Sequence, residues 1–441
     1  MDYEKTIDKK QLTIIGKTNW RNSNQAFGIL DKDRLGHIYS IGKTGTGKST
    51  LLINMAISDI TKGKGLALID PHGESALTVL EHIPKDRICD VIYFNPADSD
   101  FPLAFNPLRN VHPQHFHIVT SGLISTFKKI WGDSWGPRLE HILRFSILTI
   151  LEYQRGSLLD IHYILTDGFF RKKVLVHIQN PEVLHFWFNE FDKMTSTLKA
   201  ESISPILNKI GVFIANPLMR NIVGQSTRGL RFQEIMDSGK ILIANLSKGQ
   251  IGEDTSTILG SLLVTNMQLS ALYRARIPEH KRKPFYLYVD EVQSFISPSF
   301  GEMLSECRKY GLSVFLTNQH LNQLPESLQL SILGNVGTII SFRVGSNDGF
   351  VLSKEFYPYF TIEDFINLPR YSIYLKLLID GTTSKPFSAD TLPLPIVTTH
   401  YLQEIIEYSR KTYAKPKSIV EKEIERTIPM QEQIQSPLFQ I

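Results

Sequence analysis

Short continuous apolar runs alternate with stretches of helical period over most of the chain. Between Leu35 and Pro107, the runs IYSIG, GLALID and DVIYFN predict buried strands, with helices at Ser49–Lys62 and Ser75–His82. From Gln114 to Ala215 the strand signal stops, and the spacing predicts helices at Gln114–Ile130, Pro137–Arg155, Leu158–Leu165, Glu182–Phe191 and Leu198–Phe213. Strands return from Lys240 as KILIANL, FYLYVDE, LSVFLTNQ, GTIISFRV and YSIYLKLLI, with helices alternating among the first four. Apolar strands separated by helices predict a parallel-rich α/β sheet covered on both faces. The all-helical zone then reads as an insertion into one α/β domain. The expected divisions are an N-terminal extension (1–35), the first part of the α/β domain (36–113), the helical insertion (114–215), the second part of the α/β domain (216–413) and a C-terminal helix and tail (414–441).

Length and composition narrow the class. At 441 residues the chain predicts two or three structural units. With 42% hydrophobic and 21% charged residues it has material for a large core and too little charge for a disordered chain. The net charge of +4 announces no nucleic-acid partner by itself, although a basic channel fits inside a near-neutral total. Two cysteines, Cys89 and Cys307, with no CxxC pair argue against a disulfide framework or a zinc module. No stretch of spanning length is free of charged and polar breaks, and the opening MDYEKTIDKKQLTIIGKTNW lacks an apolar signal core. The expectation is a soluble cytoplasmic protein with no membrane span of its own.

The sharpest chemical signal is GKTGTGKS, Gly42 to Ser49, which fits G-x-x-x-x-G-K-[ST] between an apolar strand and the helical LLINMAISDI. Such a loop turns successive backbone amides toward phosphate oxygens, and the helix that follows adds its positive end. The phosphate-binding set is Gly42, Thr44, Gly45, Thr46, Gly47, Lys48, Ser49 and Thr50. Lys48 would reach the β- and γ-phosphates of ATP and Ser49 would hold Mg²⁺, the arrangement of a RecA-like P-loop NTPase. FYLYVDE supplies two adjacent acids at a strand end, where ligands of open α/β sheets bind. Asp290 suits the metal, and Glu291, pointing elsewhere, suits activation of the attacking water. Gln319, ending LSVFLTNQ, could sense the γ-phosphate. Asp70, after GLALI, fits equally well an outer-shell metal role or the cap of the next helix. In SPSFGEMLSECRKYG, Phe300, Met303, Leu304 and Cys307 form an apolar stripe, with Arg308 beside it.

With these residues in view, the chain resembles the HerA/FtsK superfamily of ring-forming DNA-pumping ATPases, and most closely the TraG/TraD-type coupling ATPases of conjugation and type IV secretion. The resemblance is carried by HIYSIGKTGTGKSTLL, GLALIDPHGE, WGPRLEHILR, GKILIANLSKGQIGED, FYLYVDEVQSF and FGEMLSECRKYGLSVFLTNQHLNQL, with TLP and SRKTYAKPKSIVEKEI near the end. It implies a hexameric ring, ATP and Mg²⁺ at subunit interfaces, DNA in a central channel and an all-helical insertion in the motor. It also implies Arg308 as the arginine entering the neighbouring subunit's site, with Arg343 as second choice. The membrane-spanning hairpin of typical coupling proteins and the small β-barrel of HerA proteins are not seen, so the chain reads as a stripped motor. Membrane anchoring and partner choice would then come from another chain or not occur, and a relaxase, a secretion-channel component or a nuclease is the partner to expect.

Other signals weigh less. His112, His115 and His117 in HPQHFH have metal-like spacing but no accompanying acids or cysteines, and read as loop histidines. Trp131 and Trp135 read as anchors for the helix at Pro137. Arg274, Arg276, Lys281, Arg282 and Lys283 read as a solvated connection sooner than a phosphate contact. The function expected is ATP-driven DNA translocation in conjugative transfer. The alternatives are a HerA-like partner of a nuclease and a secretion ATPase that handles protein without gripping DNA.

Overall fold

The computed structural model describes residues 11–226, 229–296 and 300–427. Thirteen strands occur among them: β1 (Leu12–Thr18), β2 (Ala26–Leu30), β3 (Ile38–Ile41), β4 (Gly65–Asp70), β5 (Val91–Phe94), β6 (Ile241–Asn245), β7 (Phe285–Val289), β8 (Leu312–Asn318), β9 (Thr338–Ser341), β10 (Ser372–Lys376), β11 (Leu378–Ile379), β12 (Thr382–Thr383) and β13 (Phe387–Thr391). Eleven form one sheet in the order β2-β1-β13-β10-β9-β3-β8-β7-β4-β6-β5, and β11 pairs with β12. From β9 to β5 every pairing is parallel; from β2 to β9 every pairing is antiparallel. The expected parallel-rich α/β class holds.

The parallel strands are buried on both faces, which is why they read as unbroken apolar runs. Helix Lys48–Thr61 buries Leu51, Leu52, Met55, Ala56 and Ile60, and helix Glu253–Tyr273 buries Ile258, Leu259, Leu262, Leu263 and Met267. Beneath the sheet lies a polar cluster that the sequence did not announce. Arg34 grips Asp59 with both terminal nitrogens (2.5 and 2.9 Å), donates to the Tyr288 hydroxyl at 2.7 Å, and lies 3.8 Å from the centre of the Tyr286 ring.

Among the described residues, one compact unit runs up to Asn95 and resumes over Arg231–Thr412; the other spans Pro96–Leu230 and resumes at Tyr413. These limits differ from the expected divisions. The segment before Leu35, expected as an extension, supplies β1 and β2 to the sheet, with Gly16 opposite Thr391 on β13. Its half-buried pattern of alternating apolar and polar residues gives a weaker signal than a buried parallel strand.

The second unit is helical over Phe116–Val223, as expected for its central part. Its core gathers Trp187, Phe186 and Phe191, and the Trp187 indole donates to Thr149 at 2.8 Å. Trp135 donates to Glu140 at 2.9 Å and anchors the start of helix Pro137–Tyr153, whereas Trp131 packs instead on Phe127 at 5.1 Å and Phe213 at 6.1 Å, residues of two other helices. Helix Lys417–Thr427 belongs to this unit, with Asn221 donating to Glu421. The tail MQEQIQSPLFQI lies outside the described residues apart from its approach. No helix among the described residues is long and apolar enough to cross a membrane.

Candidate functional site

The register of three neighbouring strands assembles the site. On β3 and β8, Ile41 stands opposite Asn318; on β7 and β8, Val289 stands opposite Leu316. The next residues past these ends are Gly42, Gln319 and Asp290, so loop, amide and acids emerge on one edge of the sheet. They line a cleft of about 740 Å³ with Thr44, Gly45, Gly47, Lys48, Ser49, Thr50, Asp290, Glu291 and Gln319 among its walls.

The loop has the expected form. Gly45 and Gly47 have φ of +74° and +122°, and a Cβ on Gly47 would come within 2.8 Å of the Tyr371 ring, so glycine is required there twice over. Lys43 N–H donates to the Arg343 carbonyl at 2.9 Å, and the Thr46 hydroxyl donates to the Lys43 carbonyl at 2.7 Å. Thr46 is buried and Gly42 packs against Phe342; both shape the loop from behind instead of facing the cleft. The Lys48 ammonium donates to the carbonyls of Gly42 and Lys43. Burial lowers its pKa, opposed by the charges of Glu291 and Asp290.

The acid pair lies at the same edge. Asp290 is buried and accepts from the Thr317 hydroxyl, a partner that the β7/β8 register brings level with it. Burial raises its pKa; the Thr317 bond and Lys48 oppose this, while Asp70 and Glu291 add to it. Glu291 takes a left-handed backbone, φ +50° and ψ +56°, an uncommon conformation for a non-glycine residue. Glu291 Oε1 accepts from the Gln319 amide at 2.8 Å, and Gln293 donates to Oε2. The Thr44 hydroxyl donates to Gln319 Oε1 at 2.9 Å. A continuous chain of hydrogen bonds therefore runs from the phosphate loop through Gln319 to Glu291.

A triphosphate with a divalent cation fits these groups. The loop offers amides and an ammonium to the anion, and the neighbouring buried carboxylates repel one another unless a cation is shared between them. Ser49 and Asp290 line the cleft as the groups that would hold it.

Asp70 Oδ1 accepts from His72 N at 2.8 Å and Oδ2 from Ala76 N at 2.9 Å, so it caps helix Glu74–Leu80. Arg308 and Arg343 are exposed and are not among the residues lining the chain's own cleft. The stripe of Phe300, Leu304 and Cys307 is buried as expected; the Met303 side chain lies outside the described residues. Arg274, read as part of a solvated connection, is fully buried and ties Asp237 to the carbonyls of Tyr310 and Lys283 at 2.6 to 2.9 Å. Among the described residues no three metal-ligating side chains cluster, His112, His115 and His117 included. Sequence reasoning missed Lys248, Arg370, Tyr371 and Leu394, which line the cleft from segments remote in sequence.

A sequence family described as the TraM recognition site of TraD and TraG matches residues 284–352, the span containing Asp290, Glu291, Arg308 and Gln319. The chain is 20% identical over 369 residues to the type 4 coupling protein DotL of Legionella pneumophila, covering 70% of this chain and 47% of that protein. It thus spans about half the length of the curated relative it matches. Solved structures share the fold. The unbound bacterial conjugative coupling protein TrwBΔN70 gives a TM-score of 0.60 at 14% identity, over 89% of this chain and 91% of that one. TrwB with a non-hydrolysable ATP analogue gives 0.59 at 15%, over 84% and 87%. VirB4 of Thermoanaerobacter pseudethanolicus gives 0.57 at 14%, over 88% and 98%. With the motif set on one sheet edge, the chain carries a P-loop site, is similar over residues 284–352 to the TraD and TraG family segment, and shares its fold with TrwB and VirB4.

Proposed function

We propose that the chain is the motor of a ring-type ATPase that moves DNA in conjugative transfer or type IV secretion. The observation that carries the reading is the unbroken chain from Thr44 through Gln319 to Glu291, which couples the phosphate loop to the acid positioned for water. DotL and TrwB, both coupling proteins by name, support the cargo assignment, and TrwB has been solved with an ATP analogue and with ADP and Mg²⁺.

In this reading Lys48 and the loop amides hold the β- and γ-phosphates of ATP. Ser49 and Asp290 would hold Mg²⁺, which when bound would supply positive charge beside the phosphates. Glu291 orients water and accepts its proton. Gln319 serves two partners, so a γ-phosphate arriving beside Thr44 competes for its amide and alters its hold on Glu291. Arg308 acts from the next subunit of a hexamer, where a finger of this kind is worth about 10³- to 10⁵-fold in turnover. The ring sits beside a membrane through a partner such as a relaxase or channel component.

The test is hydrolysis by the purified chain with and without DNA. Lys48→Ala should abolish turnover, Glu291→Gln should retain bound ATP, and single- or double-stranded DNA should stimulate the wild type. A wild-type rate in Glu291→Gln would overturn the assignment of the base. No stimulation by any DNA would overturn the cargo and favour the protein-handling alternative.

A further inference from the structure

We propose that Tyr371, with Arg370 beside it, forms the stacking wall for the nucleobase of the bound nucleotide. This assignment presupposes the nucleotide-binding reading of the cleft and adds where the base lies.

The lining of the cleft holds two kinds of group: the charged and polar Lys48, Ser49, Asp290 and Glu291, and the apolar or aromatic Ile53, Tyr371 and Leu394. A nucleoside triphosphate likewise joins an anionic group to a flat aromatic one. Tyr371 is not placed as a core residue. Its side chain lies against Gly47, whose added Cβ would meet Cδ1 at 2.8 Å and Cε1 at 3.5 Å. The residue nevertheless stays 40% exposed, as does Leu394. The Arg370 guanidinium carbon lies 4.7 Å from the centre of the ring, within cation–π range.

The ring is also held in place. Tyr371 has φ +67°, a strained setting for an aromatic residue. Its N–H donates to the Thr46 carbonyl at 2.9 Å, and its own carbonyl accepts from the Thr391 amide at 2.9 Å and hydroxyl at 3.0 Å. The phosphate loop and the Tyr371 backbone are therefore one hydrogen-bonded piece, which fixes the distance from anion to ring. Leu394 follows a segment held by Asn54, whose amide donates to the carbonyls of Leu392 and Pro393 at 2.8 and 3.2 Å. A flat group resting on Tyr371 covers apolar surface that otherwise faces water.

The test titrates the full chain, in Mg²⁺, with ATP and separately with inorganic tripolyphosphate. Wild type should prefer ATP. Tyr371→Ala should weaken ATP about tenfold, the usual scale for removing an aromatic partner of a base, and leave tripolyphosphate unchanged. Tyr371→Phe should keep the preference. An equal loss for both ligands, or no loss for either, would overturn the assignment. If Tyr371→Ala does not fold, Arg370→Ala decides in its place, with a smaller ATP-selective loss expected and no selective loss counting against it. A wild type that binds tripolyphosphate as well as ATP defeats the base wall alone. A wild type that binds neither, or a Lys48→Ala variant that binds both normally, defeats the nucleotide reading itself.

Discussion

At the scale of single residues, function turns on which partners a side chain has. Glu291 is held by two amides, and of these only Gln319 also touches the phosphate loop. Gln319→Ala should therefore lower kcat by about 10- to 100-fold while nucleotide affinity, read by equilibrium binding, changes little. Equal losses in both would mean that Gln319 serves binding alone. His37 offers a second residue-level test. Burial holds its imidazole down at about 4, against an ordinary 6.5, with the bond to the Leu304 carbonyl opposing and Arg308 assisting. The unfolded chain binds that proton more readily, so the stabilisation is complete above pH 6.5 and fades as pH falls toward 4. The span corresponds to about 3 kcal/mol. His37 has a left-handed backbone, φ +65°, which asparagine tolerates, so His37→Asn should fold and show a flatter acid limb in urea unfolding. An identical pH dependence in the two proteins would assign the acid sensitivity elsewhere.

Among elements, what matters is how strands and helices are locked to one another. Helix Lys48–Thr61 carries Asp59, and strand β7 carries Tyr286 and Tyr288; Arg34 joins them at a site closed to water. Removing Asp59 alone leaves a buried guanidinium without its counter-charge. Asp59→Ala should cost about 3–5 kcal/mol in denaturant unfolding, and Arg34→Met combined with Asp59→Leu should cost less than that single change. A loss below 1 kcal/mol for Asp59→Ala would mean that water reaches the cluster. Element by element, the sequence was legible where burial was complete. Strands β3, β4, β6, β7, β8 and β9 all read as apolar runs because both their faces are covered. Of the antiparallel flank only β10, read as YSIYLKLLI, was legible. Strands β1, β2 and β13 are partly exposed and carry Lys17, Gly28, Ser388 and Asp390, so their pattern is close to that of a loop.

For the whole molecule, the proposed role of Arg308 across a subunit interface makes a prediction about assembly. Arg308 and Arg343 are exposed and are not among the residues lining the chain's own cleft, which leaves their side chains available to a neighbour. Mixing decides it. Lys48→Ala subunits lack a working cleft but keep Arg308, and Arg308→Ala subunits have the reverse defect. The mixture should regain ATP hydrolysis that neither protein shows alone. No recovery, with both variants assembling normally, would remove Arg308 from a role across the interface.

What the sequence by itself determined was local: a glycine loop between strand and helix, two acids at a strand end, and a helical zone between two stretches of strand. Each is a pattern of neighbouring residues, and backbone conformation and periodicity are set largely by neighbours. Which groups meet was decided only in three dimensions. Thr317 reaches Asp290, and Gln319 bridges Thr44 and Glu291, because β8 lies between β3 and β7 in a particular register. Arg274 turned from a surface base into a buried tie, and of the two roles open to Asp70 the helix cap is the one its partners give it, for the same reason. A polar side chain takes its role from the partners that distant segments bring to it, and those partners are specified by the packing of the whole sheet.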